Sequence, residues 1–211
     1  MSVTDHGTFH RLWAAQAVSA FGARITREGL PIMAVVSLGA GAATLGVLAA
    51  VASAAALITA LAAGLFIDRH RRRPLLIGAD LLRAAVLVTI PVAAGLGVLT
   101  PPQVFAAAAL VAAASVVFDI ASHSYLPSII GKAQLVDGNS RLAATESVAE
   151  VGGPALAGVL FQWLSAPLAV AVNALTYLGS AGFLATIRAP EESPAPSSSD
   201  RWTREITQGF R

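Results

Sequence analysis

Two apolar stretches, residues 45–67 and 75–96, flank the run Gly64-Leu65-Phe66-Ile67-Asp68-Arg69-His70-Arg71-Arg72-Arg73-Pro74. Each stretch has the roughly 20 residues that a helix needs to cross a bilayer. Backbone groups in hydrocarbon must be satisfied within their own segment or a closed barrel, so the two stretches predict a helical hairpin with the arginines at its tip. Arginine crowded against a span marks the cytoplasmic side. Pro74 then opens the second arm where a missing N–H costs little.

Composition extends this reading to the whole chain. Of the 211 residues, 55% are hydrophobic and 12% charged, with a mean hydropathy of +0.69; soluble domains carry about 25% charged residues. A pI near 9.7 points less to nucleic acid than to topology, because the net charge is only +2 and the cations gather at helix ends. There is no cysteine, which excludes disulfides, zinc ribbons and thiol nucleophiles. His6, His10, His70 and His123 have no metal-ligand spacing, and no nucleotide-binding or Ser/His/Asp pattern occurs. The expectation is an all-α membrane protein that is not an enzyme and carries no cofactor or metal.

Six spans are predicted, at about 9–38, 45–67, 75–96, 104–122, 142–164 and 168–187. The first holds Arg24, Arg27, Glu28 and Pro31, which predict a kink or local break, and Asp5 and His6 ahead of it argue against a cleaved signal peptide. Tyr125-Leu126-Pro127 is expected to end the fourth span, leaving Ser128–Ser140 as a polar connector. Residues 1–188 thus form a transmembrane bundle, and 189–211 a Pro/Ser-rich linker leading into a new helix. The outer turns 39–44, 97–103 and 163–167 contain no Lys or Arg. The inner segments carry Arg11, Arg69, Arg71, Arg72, Arg73, Lys132, Arg141, Arg188, Arg201, Arg204 and Arg211. That asymmetry places both termini in the cytoplasm of a multi-pass protein of the plasma (inner) membrane.

The pattern Gly-x-x-x-Asp-Arg-x-x-Arg-Arg formed by Gly64, Asp68, Arg69, Arg72 and Arg73 resembles the signature between helices two and three of major facilitator superfamily transporters, with Arg71 where the family usually has Gly. Gly153-Pro154-Ala155-Leu156-Ala157-Gly158 is similar to the fifth-helix motif of the drug:proton antiporters in that superfamily, Ala157 standing for the first of its paired glycines. Leu30-Pro31, Ser124-Tyr125-Leu126-Pro127, Asn139 and Ala166-Pro167 resemble the enterobactin-exporter-like and macrolide-efflux-like branch. The resemblance implies proton-coupled efflux of a small amphipathic drug or siderophore, a gating role for the arginine hairpin, and twelve spans. This chain would then be an N-terminal six-helix half, partnered in the lipid bilayer by a second half from the same gene product or a second copy. A non-transporting fragment or partner subunit is the alternative.

Charges within spans usually face a partner or an aqueous cavity. Glu146, Glu150, Gly153 and Ala157 are four, three and four residues apart, and so line one face of a helix. That face is either part of a pathway or a small-residue packing seam. Glu28, four residues after Arg24, can pair with it on one face, either as a structural pair with Arg27 beside it or as an anion-attracting wall. Asp80 and Arg83 form the expected inner-gate network, with an Arg83–Asp119 contact preferred over a proton relay through Asp119 and His123. Glu150 is the deepest carboxylate of the fifth span: a candidate proton carrier, or a hydrogen-bonded group at a helix seam.

Overall fold

The computed structural model describes residues 6–67, 70–131 and 134–187. They form six helices: α1 (His6–Leu38), α2 (Ala42–Ile67), α3 (Arg72–Gly95), α4 (Pro101–Ile129), α5 (Leu135–Trp163) and α6 (Ala166–Ala185). The predicted all-α six-helix architecture is the one observed. Four of the helices, α2, α3, α4 and α6, are long and apolar enough to cross a membrane, whereas the charged groups of α1 and α5 lower their mean hydropathy.

Local chemistry sets the turns. Gly39 and Gly97 take positive φ, 63° and 70°, which glycine adopts without a Cβ penalty. After α3 the Val98 N–H bonds the Ala93 carbonyl at 2.9 Å, a closure typical of a left-handed helix end. Thr100 precedes Pro101 and Pro102 at the start of α4, and Ser165 precedes α6 with Pro167 in its first turn, positions where proline forfeits no helical hydrogen bond.

Three expectations are corrected. First, the local break in α1 is not found, since the helix runs through Pro31; in hydrocarbon a break would strand several backbone groups, where a single proline removes only one bond. Second, α4 does not end at Pro127 but at Ile129, with the hydroxyls of Ser124 and Ser128 donating to the carbonyls of Ile120 and Tyr125 at 2.9 and 2.6 Å. Third, the connector expected over 128–140 is largely helical, because α5 begins at Leu135. Asp137 sits in its first turn, favourable to the helix dipole, and pairs with Arg141 one turn on at 3.0 Å. Hydropathy marks where a helix can leave the bilayer, not where it stops. The expected linker 189–211 lies outside the described residues.

The helices pack in a repeated pattern. The bundle core is α1 against α6, α6 against α3, and α3 against α4, while α5 flanks α1 and α2 flanks α4. Exchanging each helix of the first three for its counterpart in the second three reproduces the same neighbours, so the chain is built as two three-helix units. The core is also split along the helix axes. One apolar cluster holds Phe9, Leu12, Leu76, Phe118, Leu126 and Leu184, and the other Met33, Leu48, Leu87, Ile90, Val104 and Val170. Between these clusters α1, α3 and α6 bury Ser19, Asp80, Arg83 and Ser180, and these form the site.

Candidate functional site

Between the two apolar clusters lies a buried ion pair from one helix. Asp80 and Arg83 are three residues apart on α3, 0% and 1% exposed, and the Arg83 Nη2 donates to Asp80 Oδ1. Ser19 of α1 bridges them, accepting from Arg83 Nη2 at 3.0 Å and donating to Asp80 Oδ1 at 3.4 Å. Arg83 Nη1 donates to Ser115 of α4 at 3.3 Å. The guanidinium lies between two aromatic faces, its Cζ 4.4 Å from the ring centre of Phe118 on α4 and 4.4 Å from that of Tyr177 on α6, a cation–π sandwich that strengthens when desolvated. Ser180 of α6 lies beside Asp80, yet Asp80 Oδ2, Arg83 Nε and Ser180 Oγ are buried without a hydrogen-bond partner. A second polar group ties α1 to α6: Asn173 Nδ2 donates to the Gly22 carbonyl at 3.1 Å and to Thr26 Oγ1, which in turn meets the Tyr177 hydroxyl at 3.2 Å.

Arg83 also forms one wall of a small open cleft, about 30 Å³, between α1, α4 and α5, lined by Gln16, Ser19, Phe118, Asp119, Thr145 and Glu146 among others. Asp119 and Glu146 are exposed in it. Arg83, Glu146, His123 and Arg24 are the charged groups within electrostatic reach of Asp119. The cleft therefore presents two accessible carboxylates, while its buried cation is already matched by Asp80.

The fifth-helix seam is real packing. Gly138, Leu142, Ala149, Gly153 and Ala157 are buried on α5, and Gly153 is so close to α1 that a Cβ there would lie 2.3 Å from Arg24 Cβ. Glu146 falls on the same stripe but opens into the cleft. Pro154 is exposed, and Gly158 has open space around it.

Two pairings differ from the sequence reading. Arg24 pairs with Glu150 of α5 at 3.3 Å rather than with Glu28, because the close approach at Gly153 brings α5 to that face of α1. Glu150 is 66% exposed at its side chain, so it is an open cross-helix partner of Arg24. Arg83 takes Asp80, not Asp119, since Asp80 lies one turn away on its own buried face. Arg27, Glu28 and His123 are exposed and form no ion pair among the described residues. Of the hairpin signature, Gly64 lies in α2, Arg72 and Arg73 open α3, and Asp68 and Arg69 lie outside the described residues.

The residue set 12–211 matches the family model described as Major Facilitator Superfamily, which is nearly the whole chain. The chain belongs to the Major Facilitator Superfamily. It is accordingly a multi-pass membrane transporter protein. The comparison with individual curated proteins gave no match. In this superfamily member Arg73 of the hairpin and Arg11 of α1 have an intramolecular role at the end of α6. Arg73 Nε and Nη2 donate to the Leu184 and Ala185 carbonyls at 3.0 and 2.7 Å, and Arg11 Nη1 to the Thr186 carbonyl at 2.9 Å. Two guanidinium groups thus close the carbonyls that a helix C-terminus leaves open.

Ser19, Thr26, Ser115, Phe118, Asn173, Tyr177 and Ser180 were not singled out from sequence. The signal was present as spacing: Asn173, Tyr177 and Ser180 recur at four and three residues along α6, and Ser19, Gly22 and Thr26 at three and four along α1.

Proposed function

We propose that this superfamily member carries out proton-coupled efflux of a small amphipathic molecule, and that the cleft between α1, α4 and α5 is its half of the pathway. The observation that carries this reading is the pair of exposed carboxylates, Asp119 and Glu146, facing a cleft beside the polar layer at mid-bundle. Carboxylates at membrane depth mark ion and substrate routes, and superfamily transporters bind at the interface of two halves near the midplane. Residues 1–188 act as the first six-helix half and 189–211 as its cytoplasmic linker. The second half comes from the same chain or from a second copy. The protein sits in the plasma (inner) membrane with the arginine hairpin inside, where Asp68 and Arg72 gate the pathway. Gly153 of the fifth-helix motif is buried against Arg24 of α1, which supports the antiporter branch.

The experiment is flux in proteoliposomes with an imposed proton gradient, using tetraphenylphosphonium as the amphipathic probe and oligomeric mass measured alongside. Gradient-driven movement that is lost in Asp119→Asn and Glu146→Gln supports the proposal. Flux that ignores the gradient, or that survives both substitutions, refutes it.

A further inference from the structure

The buried ion pair and the open cleft share one residue, Arg83. Its guanidinium is held by the two rings of Phe118 and Tyr177 and by Ser115, none of which depends on the charge of Asp80. Neutralising Asp80 would therefore leave Arg83 in place, with its charge no longer matched, at the wall of a cleft that contains Asp119 and Glu146. Asp80 Oδ1 is engaged by Arg83 and Ser19, while Oδ2 lies in the same buried layer as the Ser180 hydroxyl, with no cation on it. Ser19 is both a lining residue of the cleft and a hydrogen-bond donor to Asp80, so its hydroxyl links cleft water to the carboxylate.

We infer that Asp80 is the proton-binding carboxylate of this transporter and that it sets the cleft's affinity for an organic cation at a distance, through Arg83. This deepens the reading above and rests on it for the substrate class and for proton coupling. With Asp80 ionised, Arg83 is neutralised and the cleft offers two carboxylates to a cation. A proton taken up at the Ser19 hydroxyl, whose own proton passes to Asp80, leaves Arg83 as a bare cation that opposes the substrate and releases it. The exchange is one proton for one cation. The other charged or titratable groups facing this network are Tyr177 from α6, Asp119 with its neighbour His123 from α4, Arg24 from α1 and Glu146 from α5. Asp119 and Glu146 contact the substrate in this account, and Asp80 acts only through Arg83.

The sign of each substitution follows. A unit charge added at about 8 Å in a medium of effective dielectric about 20 weakens binding of a monovalent cation roughly thirtyfold. Asp80→Asn should therefore bind tetraphenylphosphonium about thirtyfold more weakly than the wild type at alkaline pH. Arg83→Gln should bind it no more weakly than the wild type. Infrared difference spectra of the protein in nanodiscs, recorded on acidification, give a test that needs no ligand. The high-frequency C=O component of a buried, water-free protonated carboxyl, distinct from the bands of the exposed carboxylates, should disappear in Asp80→Asn and remain in Asp119→Asn, Glu146→Gln and Asp80→Glu. Ser19→Ala should slow its appearance without changing its final size. A band that persists in Asp80→Asn overturns the inference, as does wild-type cation affinity in that variant at alkaline pH. If the wild type binds no organic cation at any pH, the substrate class falls, and the infrared band still decides whether Asp80 takes the proton.

Discussion

A single methyl group at Gly153 tests whether the α1–α5 contact governs the site. A Cβ added at Gly153 would stand 2.3 Å from Arg24 Cβ, 3.0 Å from Arg24 Cγ and 3.6 Å from Arg24 Cα. Carbon atoms rest at about 3.5–4.0 Å, so the nearest contact falls short by at least about 1.2 Å. The obstructing atom is the first side-chain carbon of Arg24, fixed by the α1 backbone, and no rotamer change removes it. Relief requires α1 and α5 to separate, which stretches the 3.3 Å Arg24–Glu150 contact and widens the cleft on the Glu146 side. Overpacking of this kind costs about 1–3 kcal/mol. At Gly158 a Cβ meets nothing within 4 Å, so Gly158→Ala should be neutral or stabilise by up to about 1 kcal/mol through helix propensity. Both variants gain the same helix propensity, so equilibrium unfolding in mixed micelles should separate them by about 1–3 kcal/mol. Arg24→Ala, which keeps the Cβ, should not rescue Gly153→Ala. Equal stability of the two glycine variants, or rescue by Arg24→Ala, would refute the reasoning.

Other outcomes follow from named contacts. Arg73→Ala removes two charge-assisted bonds to the end of α6, each worth about 1.5–3 kcal/mol when formed to a charged donor; hydrogen exchange should rise at residues 184–187 and stay unchanged at the start of α6, and Arg73→Lys, lacking the forked donor, should restore little. Asn173→Leu should destabilise by only about 0.6 kcal/mol and by no more than about 1.7, the measured range for polar contacts between membrane helices, and a larger loss in unfolding titrations would assign Asn173 a further role. On the Cys-free chain, an impermeant thiol reagent added to intact cells should label Gly41→Cys and spare Arg71→Cys; labelling of the latter would invert the proposed orientation.

The hairpin, the turns and the six helices were legible because they rest on local signals: Arg71 to Arg73 beside apolar runs, Gly39 and Gly97 at helix ends, and Pro101 and Pro167 at helix starts. Helix ends beyond the apolar boundary were not. Leu135 to Arg141 is helical because Asp137 and Arg141 support it from outside the bilayer, and hydropathy carries no record of that. Pairing partners were the least legible part. In water an amphipathic helix announces its buried face, but α2 and α4 are apolar nearly all round, so apolar periodicity says little about which side packs inward. The inner faces were written instead in polar spacing, as at Asn173, Tyr177 and Ser180. Arg24 shows the limit of local rules: the four-residue spacing to Glu28 was available, and the close approach at Gly153 delivered Glu150 instead.

The central claim is that the cleft between α1, α4 and α5 takes the transported molecule. Gln16 lines it and Gly41 lies in the turn after α1, far from it in sequence. The most direct measurement is the alkylation rate of Gln16→Cys in nanodiscs with and without saturating tetraphenylphosphonium, with Gly41→Cys as the control. The account predicts that the probe slows alkylation at position 16 and leaves position 41 unchanged. Equal rates at position 16 with and without a probe that the protein demonstrably binds would contradict it.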